Sequence, residues 1–115
     1  MQRCKERGIR TLVFAWNNGA IAKKTADVFY NESILNVEEI KDVCKKEKVN
    51  GVCSITSELA MMTVSSIAFK LNLTANSFSS ARMTANKMLM KNSFIKANIP
   101  CAKGQVFKDF INASK

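Results

Sequence analysis

The sequence of 115 residues contains no histidine, a single proline (Pro100) and only four glycines. Without histidine, and with its cysteines too far apart to form a Cys-x-x-Cys pair, zinc sites and histidine-based catalysis are poorly supported. No apolar run reaches the length of a membrane span, and the charged N-terminus is unlike a secretory signal. We therefore expect a cytoplasmic protein with no membrane partner, whose cysteines are reduced core residues: Cys4, Cys44, Cys53 and Cys101.

Positive charge is in excess, with 18 basic and nine acidic residues and a net charge of +9. Such a surface attracts nucleotides, phosphates and nucleic acid. The basic residues are spread along the chain and arginine is scarce, so the composition favours a solvated basic face and disfavours a nucleic-acid binder. Apolar residues make up 47% of the chain, which is enough for the core of one small domain.

The hydrophobic pattern alternates between strands and helices. Strands are predicted over 11–16, 27–30, 51–55 and 103–107, and helices over 1–7, 20–26, from Asn36 onward, from 56 or 57 to 71, and from 79 or 80 to the residue before Pro100. Asn36 followed by Glu39 predicts a capping box. This order predicts an α/β fold with a parallel sheet covered by helices.

Four stretches carry a family resemblance through their order and spacing: ERGIRTLVFAWN, KKTADVFYN, VEEIKDVCKKEKVNGVCSI and LNLTANSFSSARMTANKMLMKNSFIKANIPCAKG. Together they resemble the N-terminal (pre-ATP-grasp) domain of an ATP-grasp ligase, of the carbamoyl-phosphate-synthetase-like and biotin-carboxylase-like group. The resemblance implies a Rossmann-like domain over 1–78 that lacks the family's first strand. The start of an ATP-grasp nucleotide-binding domain, its first helix and strand, would follow over 79–115.

The same resemblance implies a function for the parent protein. It would be a ligase that joins a carboxylate to an amine through an acyl phosphate, with ATP and Mg²⁺ as cofactors. Its partners would be ATP, a small carboxylate or amine substrate, and the rest of the ATP-grasp chain. The family's other phosphate-binding elements and its magnesium carboxylates would follow Lys115. We therefore assign no catalytic residue and no metal ligand to this chain, and we expect it alone to be inactive and to bind no cofactor tightly.

Lys87 is the candidate for contact with an ATP phosphate, because Asn86-Lys87 stands where the family has an Asp-Lys pair. The alternative is an exposed helical lysine whose neighbour one turn on is Lys91. Candidates for the substrate region follow the predicted strand 51–55, where ligands of open α/β sheets bind. They are Ser54, Thr56, Ser57 and Glu58, although the last three are better explained by N-capping through Thr56 or Ser57 and by a glutamate in the first turn of the helix. Further candidates at strand ends are Asn17, Asn18 and Asp27.

Two other interpretations stay open at this point. One is a non-catalytic Rossmann-like module that binds a small ligand or a partner, which the coding sequence on either side of the chain would distinguish from a ligase. The other concerns assembly. If the family's first strand is absent, the apolar strand 11–16 has an open edge, and open apolar edges invite self-association.

Overall fold

The computed structural model describes residues 1–55, 57–105 and Phe107. Within these ranges it contains the helices α1 (Gln2–Glu6), α2 (Val37–Lys46), α3 (Glu58–Lys70), α4 (Phe78–Ala85) and α5 (Lys87–Lys96), the strands β1 (Leu12–Ala15) and β2 (Val28–Asn31), and a 3₁₀ turn (Ile21–Lys24). The strands form a two-stranded parallel sheet within the described residues, so the prediction of a mixed α/β fold with parallel strands is confirmed.

A reciprocal set of hydrogen bonds fixes the start of the sheet. The backbone N–H and the hydroxyl of Thr11 both donate to Asp27 Oδ2, at 2.8 and 2.7 Å. The Asp27 N–H donates back to Thr11 Oγ1 at 3.2 Å. These bonds set the register in which Leu12 lies opposite Val28. They also hold the pKa of Asp27 below its ordinary value, chiefly through the Thr11 hydroxyl.

The hydrophobic core is small and lies on one face of the sheet, between β1, α2 and α3. Ile40 and Cys44 of α2 pack with Ile67 of α3, and Phe14 of β1 packs against this cluster. The Phe14 ring also stacks on the ring of its cross-strand partner Tyr30, with centroids 5.0 Å apart. The apolar face of α2 is therefore the face that it buries.

Most of the helices end in the same way, with a residue of positive φ followed by an apolar residue. Gly8, Lys48, Asn72 and Asn98 have φ between 51° and 66°, the left-handed conformation that closes a helix. The N–H of the next residue then bonds to a carbonyl five residues earlier, as in the 2.9 Å bond from Ile9 N to Cys4 O. Glycine adopts this conformation without steric cost, whereas Lys48, Asn72 and Asn98 adopt it less favourably.

The strand predicted over 51–55 is wrong, because the structure has no strand there. Gly51, Cys53 and Ile55 are exposed. The sheet of the described residues consists of β1 and β2 alone, and this segment does not join it as a third strand. A short apolar run forms a strand only where a neighbouring strand satisfies its backbone groups. Val52 nevertheless packs against the core cluster, so the segment keeps one buried contact.

The single long helix predicted up to Pro100 is two helices, α4 and α5, which meet at Asn86. Asn86 has an extended backbone, with φ −113° and ψ 107°, and its side-chain oxygen accepts from the N–H groups of Met88 and Leu89. Asparagine competes for backbone bonds in this way, and here it starts a new helix. The strand predicted over 103–107 is not seen either: residues 103–105 and Phe107 lie outside any strand, and Val106 lies outside the described residues.

Two smaller expectations also need correction. Asn36 stands at the N-cap of α2, but its side chain donates to Glu32 Oε1 and makes no capping bond. Of the cysteines, which are all free in this structure, Cys44 is buried and Cys4 is half-buried, whereas Cys53 and Cys101 are exposed. The apolar neighbours of Cys53 and Cys101 in the sequence therefore did not show whether another element covers these cysteines in the fold.

Much apolar surface remains uncovered. Phe69 of α3 is 85% exposed, and Trp16, Ile21 and Leu59 are each more than half exposed. The radius of gyration of the Cα atoms is 17.9 Å, against about 13 Å for a compact domain of this length. The helices α2 and α4 pack against α3 and cover only part of its surface.

Candidate functional site

The site candidates are grouped around the N-termini of α3 and α5. Ser57 caps α3, and its hydroxyl accepts from the Ala60 N–H at 3.2 Å. Asn86 caps α5 in the same manner, at 3.0 Å to the N–H of Met88. Glu58 and Lys87 are the first residues of the two helices. Each of these two candidate residues therefore directly follows an N-cap residue.

Glu58 and Lys87 form an ion pair between Oε1 and Nζ, although they are 29 residues apart in the sequence. Their side chains are 60% and 65% exposed, so solvent reaches both groups. The pair joins two helix N-termini, each of which carries a partial positive charge. Glu58 is favourably placed at the start of its helix, whereas Lys87 adds a cation where the dipole already favours an anion. The carboxylate balances only part of this positive charge.

Lys87 is an exposed helical lysine, as the alternative interpretation holds, but its partner is Glu58 and not only the neighbouring Lys91. Lys91 itself turns away, since its Nζ donates to the backbone carbonyl of Ala102. Sequence reasoning treated Lys87 and Glu58 as parts of two separate sites and missed their contact. One signal was available: Glu58 is the nearest acidic residue before Lys87, and the next one after it is Asp109.

The remaining candidates are placed as follows. Ser54 is half-buried in the segment before α3, and Thr56 lies outside the described residues. Ser57 makes the capping bond that competed with its assignment to the substrate region. The structure thus brings Lys87 and Glu58 together, with Ser57 adjacent, and leaves the ligand role of each a prediction.

The candidates at the ends of the first strands have structural partners. The N–H of Asn17 donates to Asn31 Oδ1 at 2.8 Å, and Lys23 Nζ donates to Asn17 Oδ1 at 2.7 Å, so Asn17 closes the turn after β1. Asn18 is exposed beside it. Asp27 is engaged by Thr11 at the opposite end of the strand. These contacts account for Asn17 and Asp27 without any ligand.

Over 1–55, 57–105 and Phe107, no three side chains of His, Cys, Asp or Glu converge as a metal site would require. No helix in the same ranges is long and apolar enough to cross a bilayer. The described residues therefore supply no such cluster, and we assign no magnesium ligand among them.

The fold is shared with part of a larger enzyme of known structure. A phosphoribosylglycinamide synthetase from Anaerococcus prevotii, of known crystal structure, superposes on 98% of the chain with a TM-score of 0.77 and 24% identity. This chain spans 29% of the length of that enzyme. Comparisons with models of protein families and with curated proteins gave no match. The resemblance drawn from the four sequence stretches is thus confirmed at the level of the fold.

Proposed function

We propose that this chain forms part of an ATP-grasp ligase, and that Lys87 contacts a phosphate of ATP in it. The observation that carries the proposal is the ion pair of Lys87 with Glu58, because it places the candidate phosphate contact beside the candidate substrate region. The likeness in fold to a phosphoribosylglycinamide synthetase supports the ligase class.

In this proposal a phosphate oxygen takes the place that the Glu58 carboxylate holds beside Lys87. The exchange is physically reasonable because the pair is exposed, and exposed ion pairs contribute only about 0–1 kcal/mol. The N-terminus of α5 adds the partial positive charge of the helix dipole, which favours an anion. A lysine suits such a contact since its ammonium is a compact charge on a flexible stem.

The substrate would be a small carboxylate or amine near Ser54, Thr56, Ser57 and Glu58. ATP would transfer its γ-phosphoryl group to the carboxylate to form an acyl phosphate, and the amine would then displace phosphate. When bound, Mg²⁺ would neutralise the phosphate charge. Its ligands, and the remaining contacts to ATP, would come from the rest of the ATP-grasp chain. We place the protein in the cytoplasm.

The test is Lys87→Ala in the full-length protein, with steady-state kinetics at varied ATP. Removing a charge-assisted contact should weaken the apparent ATP affinity or the catalytic efficiency about tenfold to hundredfold. Lys91→Ala is the matched control, one turn along the same helix, and should have a much smaller effect. Equal, small effects from both substitutions would rule out the proposed contact between Lys87 and the nucleotide. The absence of any ATP-dependent ligation would rule out the proposal that the protein is a ligase.

A further inference from the structure

The positive charge of the second half of the chain is unbalanced. No acidic residue occurs between Glu58 and Asp109, whereas the same stretch contains Lys70, Arg82, Lys87, Lys91, Lys96 and Lys103 among the described residues. Lys70 is paired with Glu38 and Lys87 with Glu58, and Lys91 rests on the carbonyl of Ala102. Of these cations, Arg82, Lys96 and Lys103 have no carboxylate partner within the described residues.

Two of these three cations line the same cleft. The cleft has a volume of about 400 Å³ and lies between α4 and α5, which meet at Asn86. Its lining residues are Ser79, Arg82, Met83, Leu89, Asn92, Ser93 and Lys96. Lys87 is not among them, so the cleft is distinct from the pair with Glu58. No carboxylate of the described chain contributes to its walls.

The side chains in the cleft divide by chemistry. Arg82 and Lys96 supply charge, and Ser79 and Asn92 are exposed polar groups that can donate hydrogen bonds. The hydroxyl of Ser93 is already engaged, since it lies 3.0 Å from the Leu89 carbonyl and 2.8 Å from the Met83 sulfur. Met83 and Leu89 give the cleft a half-buried apolar floor.

We propose that this α4–α5 cleft binds a small organic phosphate, with its phosphate between Arg82 and Lys96 and its apolar part on Met83 and Leu89. A guanidinium donates in a planar fork that matches phosphate oxygens, and an ammonium adds a point charge. The negative charge of the ligand balances positive charge in a stretch that has no acidic residue between Glu58 and Asp109. The site does not depend on the proposed nucleotide contact of Lys87.

Phenyl phosphate is the probe that combines both features, with inorganic phosphate and phenol as its two halves. We would titrate each into the 115-residue chain at constant ionic strength and follow binding by calorimetry and by NMR chemical shifts. Phenyl phosphate should bind saturably and more tightly than either half. The largest shifts should fall on residues of α4 and α5 that line the cleft.

The matched variants carry the same change in charge. Arg82→Gln together with Lys96→Gln should weaken binding of phenyl phosphate about tenfold or more. Lys45→Gln with Lys46→Gln, which removes two exposed cations from α2, should leave binding within about twofold. Far-UV circular dichroism would confirm that both double variants fold like the parent chain.

Several outcomes would overturn the site. Equal losses in the two double variants would show attraction by net charge alone, and tighter binding of phenol than of phenyl phosphate would show an apolar pocket only. Loss of binding in Lys87→Gln, with Arg82→Gln/Lys96→Gln unaffected, would place the anion at Lys87. That last result would support the proposed nucleotide contact of Lys87 and rule out the phosphate site in the cleft. The two proposals can therefore be contradicted independently of each other.

Discussion

Lys87 Nζ lies in an ion pair with Glu58 Oε1, and this contact joins the first residue of α5 to the first residue of α3. The two residues come from different predicted domains, 1–78 and 79–115, and the position of that boundary stays a prediction. The helices α3 and α4 also pack against each other, and Ala68 of α3 and Ala81 of α4 are each 1% exposed.

The contribution of this ion pair to stability should be small. In a double-mutant cycle of Glu58→Gln and Lys87→Ala, we expect a coupling energy under about 1 kcal/mol in the free energy of unfolding, since solvent screens both groups. Chemical denaturation of the four proteins measures it. A coupling of several kcal/mol would mean that the pair is a structural clamp and is unsuited to exchange with a phosphate.

Core truncation should have a far larger effect. Ile67 is 2% exposed and packs with Ile40 and Cys44, so Ile67→Ala removes buried methyl groups and leaves a cavity. We expect a loss of about 2–5 kcal/mol in the free energy of unfolding, enough to unfold a small domain. Phe69→Ala on the same helix is the control, because Phe69 is 85% exposed and its loss should cost little. Similar melting curves for the two variants would contradict the described core.

Glu38 makes stability depend on pH. Hydrogen bonds from Lys41, and then from Lys70, lower the pKa of Glu38 from 4.5 to about 2. A carboxyl whose pKa is lower in the folded state stabilises the fold above its unfolded pKa. That stability is lost as the pH falls from about 4.5 to about 2. Thermal melts over this range should show a steeper decline for the parent chain than for Glu38→Gln.

Glu39→Gln is the control for this pH effect, because Glu39 makes no ion pair within the described residues. Its melting temperature should follow that of the parent chain as the pH falls. If Glu38→Gln and the parent chain decline in parallel, the link from α3 to α2 through Lys70 contributes nothing to folding in solution.

The 115-residue chain should show no ATPase or ligase activity by itself. Phosphoryl transfer requires several positioned cations and donors, and the chain contributes one candidate contact, Lys87. Phosphate release with ATP and Mg²⁺ should equal the blank. Turnover that depends on Mg²⁺ would show that the machinery assigned to the rest of an ATP-grasp chain is present in these residues.

Self-association should increase with concentration. Within the described residues β1 has one partner strand, so its second edge is open, and exposed apolar side chains such as Trp16 and Ile21 lie just beyond it. Open apolar edges pair with other chains. Light scattering across a concentration series should reveal dimers or larger species. A sharply melting monomer at every concentration would show that this edge needs no partner.

The amino-acid sequence by itself determined the elements whose signals are local. The strands at β1 and β2 and an N-cap at Thr56 or Ser57 were predicted, and the strands and the Ser57 cap are seen, because each depends on neighbouring residues alone. The order of these elements also carried the ATP-grasp resemblance, which the fold confirms. Lys87 was singled out by that resemblance, and its role stays a prediction.

Only the tertiary structure decided which surfaces meet. The run 51–55 has the composition of a buried strand but lacks a neighbouring strand, so its backbone does not join the sheet. Asn86 was predicted to lie inside one long helix. Its side-chain oxygen instead accepts from the N–H groups of Met88 and Leu89, so that Asn86 separates α4 from α5. The contact of Lys87 with Glu58 and the cleft between α4 and α5 depend on how helices pack, which no local pattern specifies.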